Sequence, residues 1–254
     1  MILDDFKLDG EVALVTGASR GLGQSAALAL AEAGADIAVL DYAPADETVA
    51  KVEALGRRAY QAQIDLINAT PEEIDAAVQK AVDALGKVSI LVNNAGIIRR
   101  VPAADHPASD WQDVIAINQN AVFYLSQSAG RRMIENGYGK IINIASMLSF
   151  QGGITVPGYA ASKHAVAGIT KALANEWAGK GININAIAPG YMATDNTTQL
   201  RQDEEREKSI RDRIPAGRWG TPADLAGPFV FLASHASDYL NGAIIPVDGG
   251  WLVR

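Results

Sequence analysis

Short apolar, β-branched runs alternate with longer segments of helical period from Val12 onward, and few folds accept that order. A strand, a helix and a second strand bury one another best when the strands lie parallel and the helix crosses over the sheet, so the pattern predicts successive βαβ units. Seven strands are expected, near residues 12–16, 36–40, 58–63, 89–92, 140–144, 182–188 and 243–247. Several of these runs are almost wholly apolar, as strands covered on both faces are. Right-handed crossovers then place helices on both sides, which is a doubly wound, Rossmann-like α/β sheet. No Ser-, Gly- or Pro-rich linker, repeat or low-complexity tract divides the chain, so residues 1–254 are expected to form one domain. The irregular stretch at about 189–221 is long for a βα connection and holds a polar helical segment, so it is expected to be a flap over the carboxyl ends of the strands. Its five basic and five acidic residues between positions 201 and 213 nearly cancel, as on a solvated helix face.

Charge and composition narrow the function. A formal charge of -7 argues against a nucleic-acid partner, which would need clustered Lys and Arg. The absence of cysteine removes disulfides, thiolate nucleophiles and thiolate metal sites, and the three histidines, His106, His164 and His235, lack ligand spacing, so no metal site is expected. No segment approaches the roughly 20 apolar residues of a membrane span. With no secretory leader at the first residues, the expected location is the cytoplasm.

The first strand runs into Thr16-Gly17-Ala18-Ser19-Arg20-Gly21-Leu22-Gly23, and a helix with apolar Leu22, Ala26, Leu30 and Ala33 on one face follows. Glycines at a strand-to-helix turn let the backbone approach a pyrophosphate, whose charge the helix N-terminus favours; tight helix packing is the plainer reading. Asp41 ends the second strand, where an acidic side chain can accept from the adenosine ribose hydroxyls and repel a 2′-phosphate. That favours NAD over NADP, although Arg20 would attract such a phosphate. Asp41 can equally cap the turn before Ala43-Pro44.

Tyr159 and Lys163 are four apart in an expected helix, so both lie on one face, about 6 Å apart along the axis. An ammonium there would stabilise a phenolate and bring the phenol toward a useful acid/base range. Ser146 follows the strand at 140–144, at the carboxyl edge where open α/β sheets bind ligands, and can hold a reacting oxygen or simply start a turn. In the helix from about Ser109, the stripe Trp111, Ile115, Asn118, Val122, Leu125, Ala129 sets one amide on an apolar face. Asn118 must therefore find buried partners, as a structural bridge or as a water relay to Lys163. Asn93-Asn94-Ala95-Gly96 closes the fourth strand; Gly96 would admit a cofactor, and the amides can pin strands or a ribose.

Taken together, these motifs resemble the short-chain dehydrogenase/reductase family over residues 8–254. The resemblance implies a catalytic tetrad of Asn118, Ser146, Tyr159 and Lys163. It also implies a nicotinamide dinucleotide held by Gly17, Ser19, Arg20, Leu22, Gly23, Asp41, Asp65, Leu66, Asn93, Ala95 and Gly96, with Tyr159, Lys163, Pro189, Gly190, Met192 and Thr194 on the nicotinamide side. Asp65 matches the adenine contact and Asp248-Gly249-Gly250 the C-terminal signature; Arg20 is more usual in NADP-dependent members. The implied chemistry is proton exchange at Tyr159 coupled to hydride transfer, with Ser146 steadying the oxyanion, and the implied assembly is a homotetramer.

Residues 144–153, 188–194 and 214–220 further resemble the sugar-acid dehydrogenases of uronate breakdown. A carboxylate substrate needs a cation, for which Arg99, Arg100 and Arg218 are candidates with Gln151 nearby, though each arginine can equally be surface charge or a subunit contact. A reductase of keto-uronates and a non-catalytic dinucleotide sensor are the rival readings.

Overall fold

In the computed structural model, which describes all 254 residues apart from the side chain of Asn196, seven strands form one parallel sheet. They are β1 (Val12–Thr16), β2 (Asp36–Asp41), β3 (Ala59–Gln63), β4 (Ile90–Asn93), β5 (Gly139–Ile144), β6 (Ile182–Pro189) and β7 (Ile244–Val247), each within one residue of its expected bounds. Their order is β3-β2-β1-β4-β5-β6-β7. The chain reverses direction across the sheet between β1 and β4, and the crevice at that switch point is where such sheets take ligands.

Period-two alternation sorts β1 between two cores. Ala13 and Val15 face one layer, with Leu30 of α1 (Gly21–Glu32), Val52 of α2 (Asp46–Ala54) and Phe229 of α9 (Ala226–Ala233). Val12 and Leu14 face the other, with Val78 of α3 (Pro71–Leu85), Leu125 of α5 (Ala121–Asn136) and Leu173 of α6 (Pro157–Trp177). Both faces are thus covered, as the apolar runs required.

The helix expected from about Ser109 is less regular. It begins as α4 (Ala108–Ile115), passes through a π-helical turn at Ala116–Asn120 and continues as α5. That turn fits one extra residue, which rotates the preceding inner face: Val114 is fully buried, while Trp111, expected on the apolar stripe, is 43% exposed. The flap carries α7 (Thr198–Gln202) and α8 (Glu204–Arg213). Its ends are zipped where the Ala193 N–H donates to the Gly220 carbonyl (2.7 Å) and the Gly220 N–H to that of Tyr191 (2.9 Å). Among the described residues no helix is long and apolar enough to cross a membrane.

Candidate active site

The glycine loop is built by close approach. A Cβ on Gly23 would lie 2.1 Å from the Gly17 carbonyl oxygen, so α1 can start this tightly against the loop only with glycine there. Asn94 Nδ2 donates to the carbonyls of Thr16 (2.9 Å) and Gly17 (3.0 Å), while Thr16 Oγ1 accepts from the N–H groups of Asn94 (3.1 Å) and Ala95 (3.0 Å). Thr16 is thus a hub joining β1 to β4, a role its place at the end of an apolar run did not reveal. The first turn of α1 has no side-chain cap, and open space surrounds Gly21 at φ +60°. Uncapped N–H groups at a positive helix end suit a pyrophosphate.

Asp41 ties the glycine loop to the turn that it caps. One carboxylate oxygen accepts from the Ser19 N–H of the glycine loop (2.8 Å), and the other from Ala43 N–H (3.2 Å), capping the turn. Arg20 is exposed and lies 3.4 Å from Asp195 of the flap. Asp65 caps its own turn, accepting from Ile67 N–H (3.0 Å) and Asn68 Nδ2 (2.8 Å), with lone pairs to spare. Leu66 turns its side chain into the core, leaving only main chain to face a ligand.

Two positions named for the cofactor also serve the fold. Asn93 is buried, its Nδ2 donating to Asn143 Oδ1 of β5 (2.8 Å) and Ser126 Oγ of α5 (3.0 Å); its amide pins strands and is not turned to a ribose. The missing side chain of Gly96 makes room for Asn118, whose Oδ1 lies 2.9 Å from where a Cβ would stand.

At the carboxyl edge of β5, Ser146 also does two things. Its hydroxyl accepts from Leu148 N–H (3.1 Å), capping a short 3-10 turn, and acts on the Tyr159 phenol. α6 starts at Pro157 and brings Tyr159 and Lys163 onto one face, with Lys163 Nζ 5.5 Å from the Tyr159 ring centroid. Burial pushes the Tyr159 phenol above its ordinary value, while the Ser146 hydrogen bond and the Arg100 charge pull it back. The Lys163 ammonium lies by the ring and donates to the Ile144 carbonyl. Burial in turn pulls Lys163 down to about 8.

Asn118 is fully buried and bridges two elements. Its Oδ1 accepts from Ile97 N–H (2.9 Å), and its Nδ2 donates to the Ile97 carbonyl (3.0 Å) and to Ser162 Oγ of α6 (3.2 Å). With both amide hydrogens used, a proton relay at this position must run through main-chain groups. The π-helical turn, where Ala121 N–H reaches back to Ala116, is where those depart from the ordinary ladder.

Of the three arginines, Arg99 lies 3.6 Å from both Asp110 and Asp113 of α4. Arg218 makes two bonds to Asp224 (2.7 and 2.8 Å), which hold that carboxyl well below the usual range. Both hold loop and flap, while Arg100, which has partners of its own, lowers the Tyr159 phenol by its charge. Gln151 is half-buried at the end of the Ser146 turn, where its N–H donates to the Met147 carbonyl (3.3 Å). Pro189 and Gly190 end β6, the Gly190 N–H donating to the Val247 carbonyl (3.0 Å). Met192 is buried against Gly220, and Thr194 caps a turn with Thr197.

An aromatic cluster beside this edge was not expected. Tyr191 meets Trp219 (centroids 5.3 Å apart) and Trp251 (4.8 Å), and the same cluster includes Met147, the neighbour of Ser146. The only hint in the chain was a tryptophan against a glycine at each place, Trp219-Gly220 and Gly250-Trp251.

The family model described as short chain dehydrogenase matches residues 11–205. The 2-dehydro-3-deoxy-D-gluconate 5-dehydrogenase of Dickeya dadantii (strain 3937) is 59% identical over 255 residues, covering 100% of both chains. Among solved structures, one from Agrobacterium tumefaciens, assigned as a 2-deoxy-D-gluconate 3-dehydrogenase with bound NADP, is 50% identical with a TM-score of 0.92, over 99% of this chain and 100% of that one. A gluconate 5-dehydrogenase from Burkholderia cenocepacia J2315, in complex with NADP and tartrate, is 40% identical with a TM-score of 0.95 over 100% of both chains.

Proposed function

This chain belongs to the short-chain dehydrogenase family, and from that premise we propose that it is an NAD(H)-dependent oxidoreductase of a deoxy sugar acid, of the 2-dehydro-3-deoxy-D-gluconate 5-dehydrogenase or 2-deoxy-D-gluconate 3-dehydrogenase kind. One observation carries the reading: Tyr159 and Lys163 on one face of α6, with Lys163 buried beside the Tyr159 ring and Ser146 buried just past β5 at the carboxyl edge of the sheet. Tyr159 exchanges the proton of the substrate's reacting oxygen, and Ser146 donates to that oxygen as charge develops on it. Lys163 opposes the charge left on Tyr159, and Asn118 holds α6 against the loop after β4.

A nicotinamide dinucleotide, when bound, supplies or takes up the hydride. Gly17, Ser19, Arg20, Leu22 and Gly23 would hold its pyrophosphate and Asp41 its ribose. Asp65 and Leu66 would meet the adenine, and Ala95, Gly96, Pro189, Gly190, Met192 and Thr194 the remainder. Asp41 supports NAD, because a 2′-phosphate beside its carboxylate would be repelled. The neighbours carrying NADP make a direct comparison of the two cofactors necessary. Arg100 is the cation for the substrate carboxylate in this reading, since its charge already acts on Tyr159. A cytoplasmic homotetramer is part of the proposal, tested by light scattering of the purified protein.

Initial rates with NADH and NADPH across a panel of keto and hydroxy sugar acids test the whole reading. Turnover of 2-dehydro-3-deoxy-D-gluconate or its isomers with NADH supports it. A strong preference for 4-deoxy-L-erythro-5-hexoseulose uronate moves it to the keto-uronate reductases, and turnover confined to steroids, acyl thioesters or neutral polyols overturns it.

A further inference from the structure

The last residues of the chain are fastened to the flap. Ala216 N–H donates to the Gly249 carbonyl (2.9 Å), and Arg254 Nη1 to the Asp212 carbonyl (3.0 Å). There is no spare room along the seam: a Cβ on Gly249 would lie 2.8 Å from Ile214 Cγ2, and one on Gly250 would lie 3.0 Å from Pro215 Cγ. Trp251 is the wedge. It is 5% exposed, its ring lies 4.8 Å from that of Tyr191, and the Arg213 guanidinium at the end of α8 stacks 3.9 Å from the ring centroid. It therefore touches the flap where the flap leaves β6, at Tyr191, and again where α8 ends.

The indole N–H of Trp251 is buried and has no acceptor among the described residues, and the same is true of Trp219. A buried donor without a partner lowers stability, so what holds Trp251 is the fit and charge of its ring and not a hydrogen bond. The cluster also includes Met147, which sets it next to Ser146 at the carboxyl edge of the sheet.

We propose that Trp251 is a positioning residue for the substrate site: it locks Tyr191 and the α8 end of the flap together, so the C-terminal tail sets substrate affinity far more than dinucleotide affinity. The kinetic arm of its test rests on the sugar-acid reading; the second arm does not. Trp251→Ala is expected to raise KM for the keto sugar acid about tenfold with kcat and NADH Kd within about threefold, the pattern of lost binding and not of lost chemistry. Independently of any substrate, trypsin is expected to cut the Trp251→Ala flap at Arg201, Arg206, Lys208 or Arg211 about tenfold faster than in the parent, because local opening exposes those sites.

Trp251→Phe keeps an aromatic ring and removes the unpartnered donor, so it is expected to restore both readouts nearly to the parent's. Arg213→Gln removes only the stacked charge and should raise KM about threefold. If Trp251→Ala is insoluble, Arg213→Gln and Trp251→Phe decide the matter. Unchanged KM and unchanged cleavage in Trp251→Ala, or in Arg213→Gln where it stands alone, would overturn the proposal. So would a loss of NADH affinity matching the loss for substrate, which would make the tail a general support. Should the parent turn over no sugar acid, the functional reading fails, and the cleavage arm alone decides whether Trp251 locks the flap.

Discussion

Replacing Lys163 by Met keeps the volume of a buried side chain and removes its charge, which isolates the electrostatic part of its role. In the structure the ammonium lies 5.5 Å from the Tyr159 ring centroid. Taking that as the separation and an effective dielectric constant of about 20, the attraction to a phenolate is about 3 kcal/mol, equivalent to about two pKa units. The ammonium is itself pulled down to about 8 by burial, and a phenolate formed beside it would favour its charged form. Lys163→Met is therefore expected to move the acidic limb of the kcat–pH profile for alcohol oxidation upward by about two units, and to lower kcat near pH 8 about a hundredfold. Rates would be taken at saturating NAD, with NADH affinity measured separately by fluorescence titration so that any lost ribose contact is not counted as chemistry. A variant whose rate falls while the limb stays in place would refute the electrostatic role and leave Lys163 as a binding residue only.

Three further changes separate the roles assigned above. Tyr159→Phe should lower kcat by about two to four orders of magnitude while leaving NADH Kd within about twofold; activity near that of the parent would remove Tyr159 as the acid/base. Asp41→Ala should raise kcat/KM with NADPH relative to NADH by about tenfold or more, and an unchanged ratio would take Asp41 out of the adenosine site. Asn93→Ala leaves Asn143 and Ser126 without a buried donor, so urea denaturation should show a loss of about 1–3 kcal/mol with NADH affinity intact. The converse outcome, weak NADH binding at full stability, would restore the ribose contact.

Sheet and crevice were legible because they follow from local chemistry. An apolar run such as Ile141-Ile142 has only a buried strand to become, and Gly17 to Gly23 could only be a tight turn into a helix. What the chain hid was direction and partnership. Tyr159 and Lys163 were rightly set on one face, yet helical spacing says nothing about the far end of a four-carbon stem, which turns to the Ile144 carbonyl. Arg99 and Arg218 looked like free cations until the fold brought Asp110, Asp113 and Asp224 to them. Trp111 missed its expected place because a period of 3.6 cannot anticipate a π-helical turn. Tyr191, Trp219 and Trp251 meet only because the flap folds back to the C-terminus.

A common logic runs through these surprises: most polar groups near the site hold one another, and few are left to meet a substrate. Asn94 fixes the glycine loop to β4, and Asn93 fixes β4 to β5. Asn118 joins the loop carrying Arg100 to the residue preceding Lys163, so the arginine and the ammonium that flank Tyr159 share one buried amide as their reference point. A site that must stabilise charge at the moment of reaction gains most from dipoles that need not move then, and amides whose N–H groups are fastened to neighbouring elements are groups that cannot move cheaply. Damage at Asn118 should for that reason reach the reacting groups from both sides at once, which is a larger effect than its distance from any substrate atom would suggest.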